Sequence, residues 1–161
     1  MENLSAKLVE ALKRRGLTIA TAESCTGGLI SKSITDISGA SLVFWGGVVS
    51  YDNSVKENVL GVKRQTLDTK GAVSAETACQ MAQGVKSLLK TDIGISTTGI
   101  AGPGGGTKEK PVGTVYVGIA YKDTVEWELL TIDPTLPRDK IREETVKRLL
   151  KLTIEKICQS Y

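Results

Sequence analysis

A short apolar run, Leu17-Thr18-Ile19-Ala20, passes into Thr21-Ala22-Glu23-Ser24-Cys25-Thr26-Gly27-Gly28 and then into Leu29, Ile30, Ser33, Ile34 and Ile37 at helical spacing. The period of a strand gives way to that of a helix across small, hydroxyl and glycine residues. This commits the start of the chain to a strand, a turn and a helix. The free N–H groups at such a helix start make the end weakly electropositive, which favours a bound phosphate or a reaction oxyanion. Ser24 and Thr26 are the hydroxyls best placed, and Gly27-Gly28 lets a ligand or a second backbone come close. The plainer reading is an N-cap with tight helix packing, and the residues alone leave both open.

The same alternation recurs along the chain. Asn3 to Arg15 has the pattern of an amphipathic helix stopped by Gly16, and a helix is expected from about Thr26 to Ile37. Leu42 to Tyr51 is almost continuously apolar, as an interior strand would be. Asp52 and Asn53 cap a short helix ending at Gly61, and Val62 to Lys70 reads as a helical turn and a loop. Ser74 caps a long helix with Ala78, Met81, Ala82, Val85, Leu88 and Leu89 inward. Asp92 to Thr98 is a strand running into the glycine-rich Gly99 to Thr107, a plain loop or an anion-binding nest. A hairpin spans Val112 to Tyr121 and Thr124 to Ile132, and a last helix turns Ile141, Thr145, Leu149 and Leu152 inward. This order predicts an α/β fold: a three-layer α/β/α domain over residues 1–161, with a mixed sheet of about five strands and helices on both faces.

Chemistry is limited by composition. The 161 residues include no histidine, which removes His-based triads and most zinc enzymes. A net charge of +3, with basic and acidic residues interspersed and aromatics at 4%, does not favour nucleic-acid binding. No apolar run is long enough to cross a membrane, and three cysteines without metal spacing fit free thiols in a reducing cytoplasm.

Polar residues sit at three strand ends: Ser24, Tyr51, and Thr97 with Thr98. If these strands run parallel, their loops converge on one crevice. Ser24 as nucleophile then needs a base, and Lys56, if largely neutral, is the candidate, with Tyr51 relaying the proton or holding the amine. Cys25 is the rival nucleophile, and only one of the neighbours is expected to face the crevice. Glu23 is expected to hold the junction by hydrogen bonds rather than to act on a ligand. Arg138 and Arg142, a turn apart, suit a phosphate or carboxylate, or pair with acidic neighbours. Three readings stand: a serine hydrolase with a Lys/Tyr base, a phosphoryl-transfer enzyme using Mg²⁺, and a ligand-binding module without catalysis. Asp52 and Asp92 are the only acidic residues near the loops, and Asp92 is at the wrong end of its strand, which tilts the balance to hydrolysis.

The motifs Thr21-Ala22-Glu23-Ser24-Cys25-Thr26-Gly27-Gly28, Gly47 to Lys56, Gly71-Ala72-Val73-Ser74, Gly99-Ile100-Ala101-Gly102-Pro103 and Lys110-Pro111-Val112-Gly113-Thr114-Val115 together resemble the CinA C-terminal domain family, which includes stand-alone nicotinamide-nucleotide amidases. The resemblance implies a homodimer that converts nicotinamide mononucleotide to nicotinate mononucleotide and ammonia, without a cofactor or metal. It implies Ser24 as nucleophile, Lys56 as base and Tyr51 as helper. The nucleotide would be held by Thr26, Gly27 and Gly28 and by Thr98, Gly99, Ala101, Gly102 and Gly105, with Arg138 or Arg142 at the phosphate. Gly104 departs from the acidic residue many relatives carry after the loop proline. Full-length relatives add an N-terminal domain resembling molybdopterin-binding proteins, so the chain reads as a stand-alone enzyme or an excised domain.

Overall fold

A computed structural model describes residues 1–159; Ser160 and Tyr161, the last two of the expected domain, lie outside the described residues. The first apolar run forms β1 (Ile19–Glu23), buried along its whole length. Parallel to it on either side run β2 (Phe44–Val49) and β3 (Ile93–Gly99). The hairpin β4 (Thr114–Tyr121) and β5 (Thr124–Thr131) continues the sheet antiparallel, in the order β2-β1-β3-β4-β5. The mixed five-strand sheet of the expected α/β fold is therefore present.

Strand alternation sorts the side chains into two layers. Ile19, Ile95 and Val117 pack with Leu8 and Leu12 of α1 (Glu2–Arg15), Ile30 and Ile34 of α2 (Leu29–Thr35), and Ile141 and Leu149 of α6 (Arg138–Gln159). On the other face Ala20 and Ala22 meet Met81 and Val85 of α5 (Ala75–Leu89). Two short helices, α3 (Asn53–Asn58) and α4 (Arg64–Thr69), lead from β2 to α5. The chain thus leaves β1 through α2 on one face and leaves β2 through α5 on the other. Between β1 and β3 the connections diverge to opposite sides, which opens a crevice at the carboxyl ends of those strands.

Three expectations are corrected. The apolar stretch from Leu42 to Tyr51 is not an interior strand: β2 is an edge, its first part is a 3₁₀ turn at Ala40–Leu42, and Trp45 is 58% exposed. Its glycines mark an irregularity in the pairing with β1, where the register shifts between Ile19 and Ala20, and a close approach, since a Cβ on Gly47 would lie 2.2 Å from Thr21 Oγ1 of β1. Helix α2 starts at Leu29 rather than Thr26, because Gly27 and Gly28 take left-handed φ of 56° and 100° and keep Ser24 to Gly28 as a turn. Leu88, expected inward on α5, is exposed.

Gly84 has no propensity reason to sit inside α5, where alanine is ordinarily better by up to about 1 kcal/mol. A Cβ there would lie 1.9 Å from Leu60 O, so helix and backbone are in direct contact. Gly84→Ala is expected to lower stability by about 1–3 kcal/mol despite its better propensity, read as a lower urea midpoint at unchanged slope.

Candidate active site

The parallel run of β1, β2 and β3 brings their carboxyl ends together, and alternation then decides which side chain faces the crevice. Glu23 ends β1 pointing to the α2 face. Its carboxylate accepts from Ile30 N–H (2.8 Å), Ser31 N–H (3.1 Å), Ser31 Oγ (2.8 Å) and Thr26 Oγ1 (2.7 Å). The chain's own carboxylate therefore occupies the electropositive end of α2, and that end is not open to a ligand. Glu23 holds the junction, as expected. Ser24, the next residue, turns to the α5 side. Its backbone N–H donates to Thr97 O at 3.0 Å, tying the turn to β3.

On that side lies an open cavity of about 250 Å³ lined by Ser24, Lys56, Tyr51, Thr98, the Gly99–Gly105 loop and Arg138, among others. Lys56 is 1% exposed. Its Nζ lies 3.0 Å from Ser24 Oγ, 2.8 Å from Ser50 O and 3.2 Å from Tyr51 O. None of these partners is a carboxylate. Burial holds the amine below its ordinary pKa, with the Asp52 charge opposing the shift. A neutral amine has two N–H donors and one lone pair. With its two donors on the carbonyls, the neutral form would have its lone pair free for Ser24 Oγ–H, whereas the charged form donates to all three oxygens. The neutral form is the arrangement that a base beside a nucleophile requires.

Cys25 also borders the cavity, but its thiol is packed into the main core, where burial pushes it up to about 12. Of the two neighbours it is Ser24 that meets the Lys56 amine, and a thiol held that high carries little thiolate, so the geometry favours Ser24 as the candidate.

Tyr51 contributes differently from expectation. Its phenol is exposed and accepts from Arg138 Nη2 at 2.9 Å, while its main-chain carbonyl accepts from the Lys56 amine at 3.2 Å. Arg138 also donates to Gly102 O at 2.7 Å, joining the tyrosine to the glycine loop at the cavity rim. Arg142, by contrast, is not on the cavity wall. It donates to Cys25 O (3.2 Å) and Thr26 O (2.7 Å) from behind the turn. Its sequence position one turn from Arg138 suggested a shared anion, but the helix presents the two guanidiniums to different partners.

Thr26 is likewise corrected from ligand contact to support, being wholly buried against Glu23 and Thr97. Gly27 and Gly28 shape the turn and do not line the cavity. Thr98, Gly99, Ala101, Gly102 and Gly105 do line it, as expected. Of the paired threonines, Thr98 shares the α5 face with Ser96 and donates to Ala72 O at 2.6 Å.

Sequence reasoning missed Asn53, read only as a cap, and Ala72 and Val73, quoted only as a motif; all three line the cavity. The signal for Asn53 was its place just past the strand end that carries Tyr51. No Asp or Glu lines the cavity among the described residues. Asp52 caps α3 through Ser54, and Asp92 is held by Thr18 at the opposite end of the sheet. The residues that phosphoryl transfer would need at the crevice are thus engaged elsewhere.

Residues 1–157 match the family model described as the CinA C-terminal domain. A CinA-like protein of Leptospira borgpetersenii serovar Hardjo-bovis is 50% identical over 154 residues, which is 96% of this chain and 37% of that one. The chain spans little more than a third of the length of the curated relatives it matches. Among solved structures, the competence/damage inducible protein CihA from Agrobacterium tumefaciens superposes with a TM-score of 0.92 at 41% identity, over 96% of this chain and 93% of that one. The competence damage-inducible protein A from Klebsiella pneumoniae reaches 0.95 at 30% identity, over 99% and 98%.

Proposed function

Because the chain belongs to the CinA C-terminal domain family, we propose that it hydrolyses the carboxamide of nicotinamide mononucleotide, releasing ammonia and nicotinate mononucleotide. The observation that carries this reading is the buried Lys56 amine 3.0 Å from Ser24 Oγ, with its two other contacts on carbonyl oxygens. Ser24 Oγ attacks the carboxamide carbon while Lys56 takes its proton. The tetrahedral oxyanion collapses, ammonia leaves with the proton returned by Lys56, and water releases the acid from the acyl-serine. The positive pyridinium ring favours both carbonyl attack and a neutral amine. Arg138 has five N–H donors and uses two on Gly102 O and Tyr51 Oη, so it retains donors for the phosphate at the rim.

The test is ammonia release from nicotinamide mononucleotide with chelator present throughout, beside binding of the nucleotide by calorimetry. Turnover in the wild-type protein is the expected result. Binding without release would overturn the enzyme reading and return the cavity to a ligand-binding role.

A further inference from the structure

Arg142 reaches from α6 to the back of the turn that carries Ser24, where Nε donates to Cys25 O and Nη2 to Thr26 O. The peptide bonds here are trans, so each N–H points opposite to the C=O of its own plane. The N–H groups of Thr26 and Gly27 share planes with those two carbonyls and are therefore turned away from the guanidinium, toward the Ser24 side. Gly27 shows this directly, for its N–H donates to Ser24 O at 3.1 Å. That bond draws the Ser24 carbonyl into the turn, and the Cys25 N–H in the same plane points out of it. The Ser24 N–H is spent on Thr97 O, whereas that of Cys25, which borders the cavity, has only its own thiol beside it and no protein oxygen as acceptor among the described residues; Thr26 is wholly buried off the cavity wall.

We infer that Arg142 is a positioning residue for the oxyanion. By holding two carbonyls behind the turn, it fixes the turn so that the Cys25 N–H stays on the Ser24 side for the oxygen that gains charge during attack. The inference rests on the acyl-transfer reading above. The guanidinium also fills the space beside Gly27, where a Cβ would stand 3.1 Å from Arg142 Nη2.

The experiment compares wild type, Arg142→Met, Arg142→Lys and Gly27→Ala by steady-state kinetics on nicotinamide mononucleotide and by ¹¹B NMR titration with 3-pyridylboronic acid. The boronic acid bonds to Ser24 Oγ, the serine proton passes to Lys56, and the tetrahedral boronate anion takes the place of the oxyanion. Arg142→Met is expected to lower kcat about 10²-fold and weaken boronate binding at least about tenfold, with KM inside roughly threefold of wild type. The apparent pKa of the rising pH–rate limb stays in place, because Lys56 is untouched. Arg142→Lys, which keeps one donor, falls between, and Gly27→Ala gives the same signature as Arg142→Met by displacing the guanidinium. A rise in KM with kcat kept would assign Arg142 to ligand contact and overturn the inference. So would folded variants whose kcat and boronate affinity match wild type. If Arg142→Met does not fold, the lysine and glycine variants decide by the same criteria. If wild type does not turn over the nucleotide, that substrate reading fails, and the boronate affinities alone decide the role of Arg142.

Discussion

Ser24→Ala is expected to lower kcat for deamidation by about 10⁴-fold or more, leaving nucleotide affinity within roughly threefold of wild type. The change removes the hydroxyl that, among the described residues, meets the Lys56 amine. The turn itself survives, since Ser24 N–H still bonds Thr97 O and Ser24 O still accepts from Gly27. Cys25→Ala is the matched control, and it should keep turnover to within roughly threefold, because a thiol raised to about 12 offers almost no thiolate at neutral pH. Ammonia release and calorimetric affinity on the same preparations separate chemistry from binding. Equal loss in both variants would mean that the turn, rather than the hydroxyl, was being measured.

Lys56→Met carries the second large effect, a fall in kcat of about 10³–10⁴-fold. Methionine approximates the shape of the buried stem but cannot accept the serine proton. In wild type, activity is expected to rise with pH along a limb whose midpoint lies below the ordinary lysine value of 10.5, because the amine must be neutral to act and burial favours that form. A midpoint at or above 10.5 would show that Lys56 stays charged and is not the base.

The same shift has a consequence for stability. Between the lowered folded-state pKa and 10.5 the unfolded chain binds more protons at this site than the folded one, so stability rises with pH across that window. The burden of burying the amine is fully present below the folded-state pKa and is lifted as pH rises toward 10.5. Lys56→Met lacks this dependence. Its melting temperature relative to wild type is therefore expected to decline as pH is raised from 7 toward 10, measured by calorimetry.

The layered α/β architecture was legible because its signals are local. The change of period at Leu17 to Ile30 and the caps at Asp52 and Ser74 each depend on residues a few positions apart. Ser24 and Lys56 were legible for a related reason: without histidine, few side chains offer a nucleophile and a base, and both lie just past apolar strands. The position of β2 in the sheet was not legible, since an apolar run reports burial of its faces and not whether a further strand pairs alongside. Nor was the role of Tyr51, whose side chain and carbonyl serve different partners, Arg138 and Lys56.

Composition and local pattern thus settled which groups were available for chemistry, where the strands end, and which helices cover them. The tertiary structure alone decided that Glu23, not a ligand, occupies the start of α2, that Ser24 rather than Cys25 meets the amine, and that Arg142 stands behind the turn while Arg138 stands at the rim. These outcomes depend on strand order, on the parity of a side chain at a strand end, and on contacts between residues as far apart as Thr26 and Arg142. A one-residue change of register exchanges the two faces of a strand. Which of two adjacent residues meets the amine is therefore fixed only when the sheet is assembled.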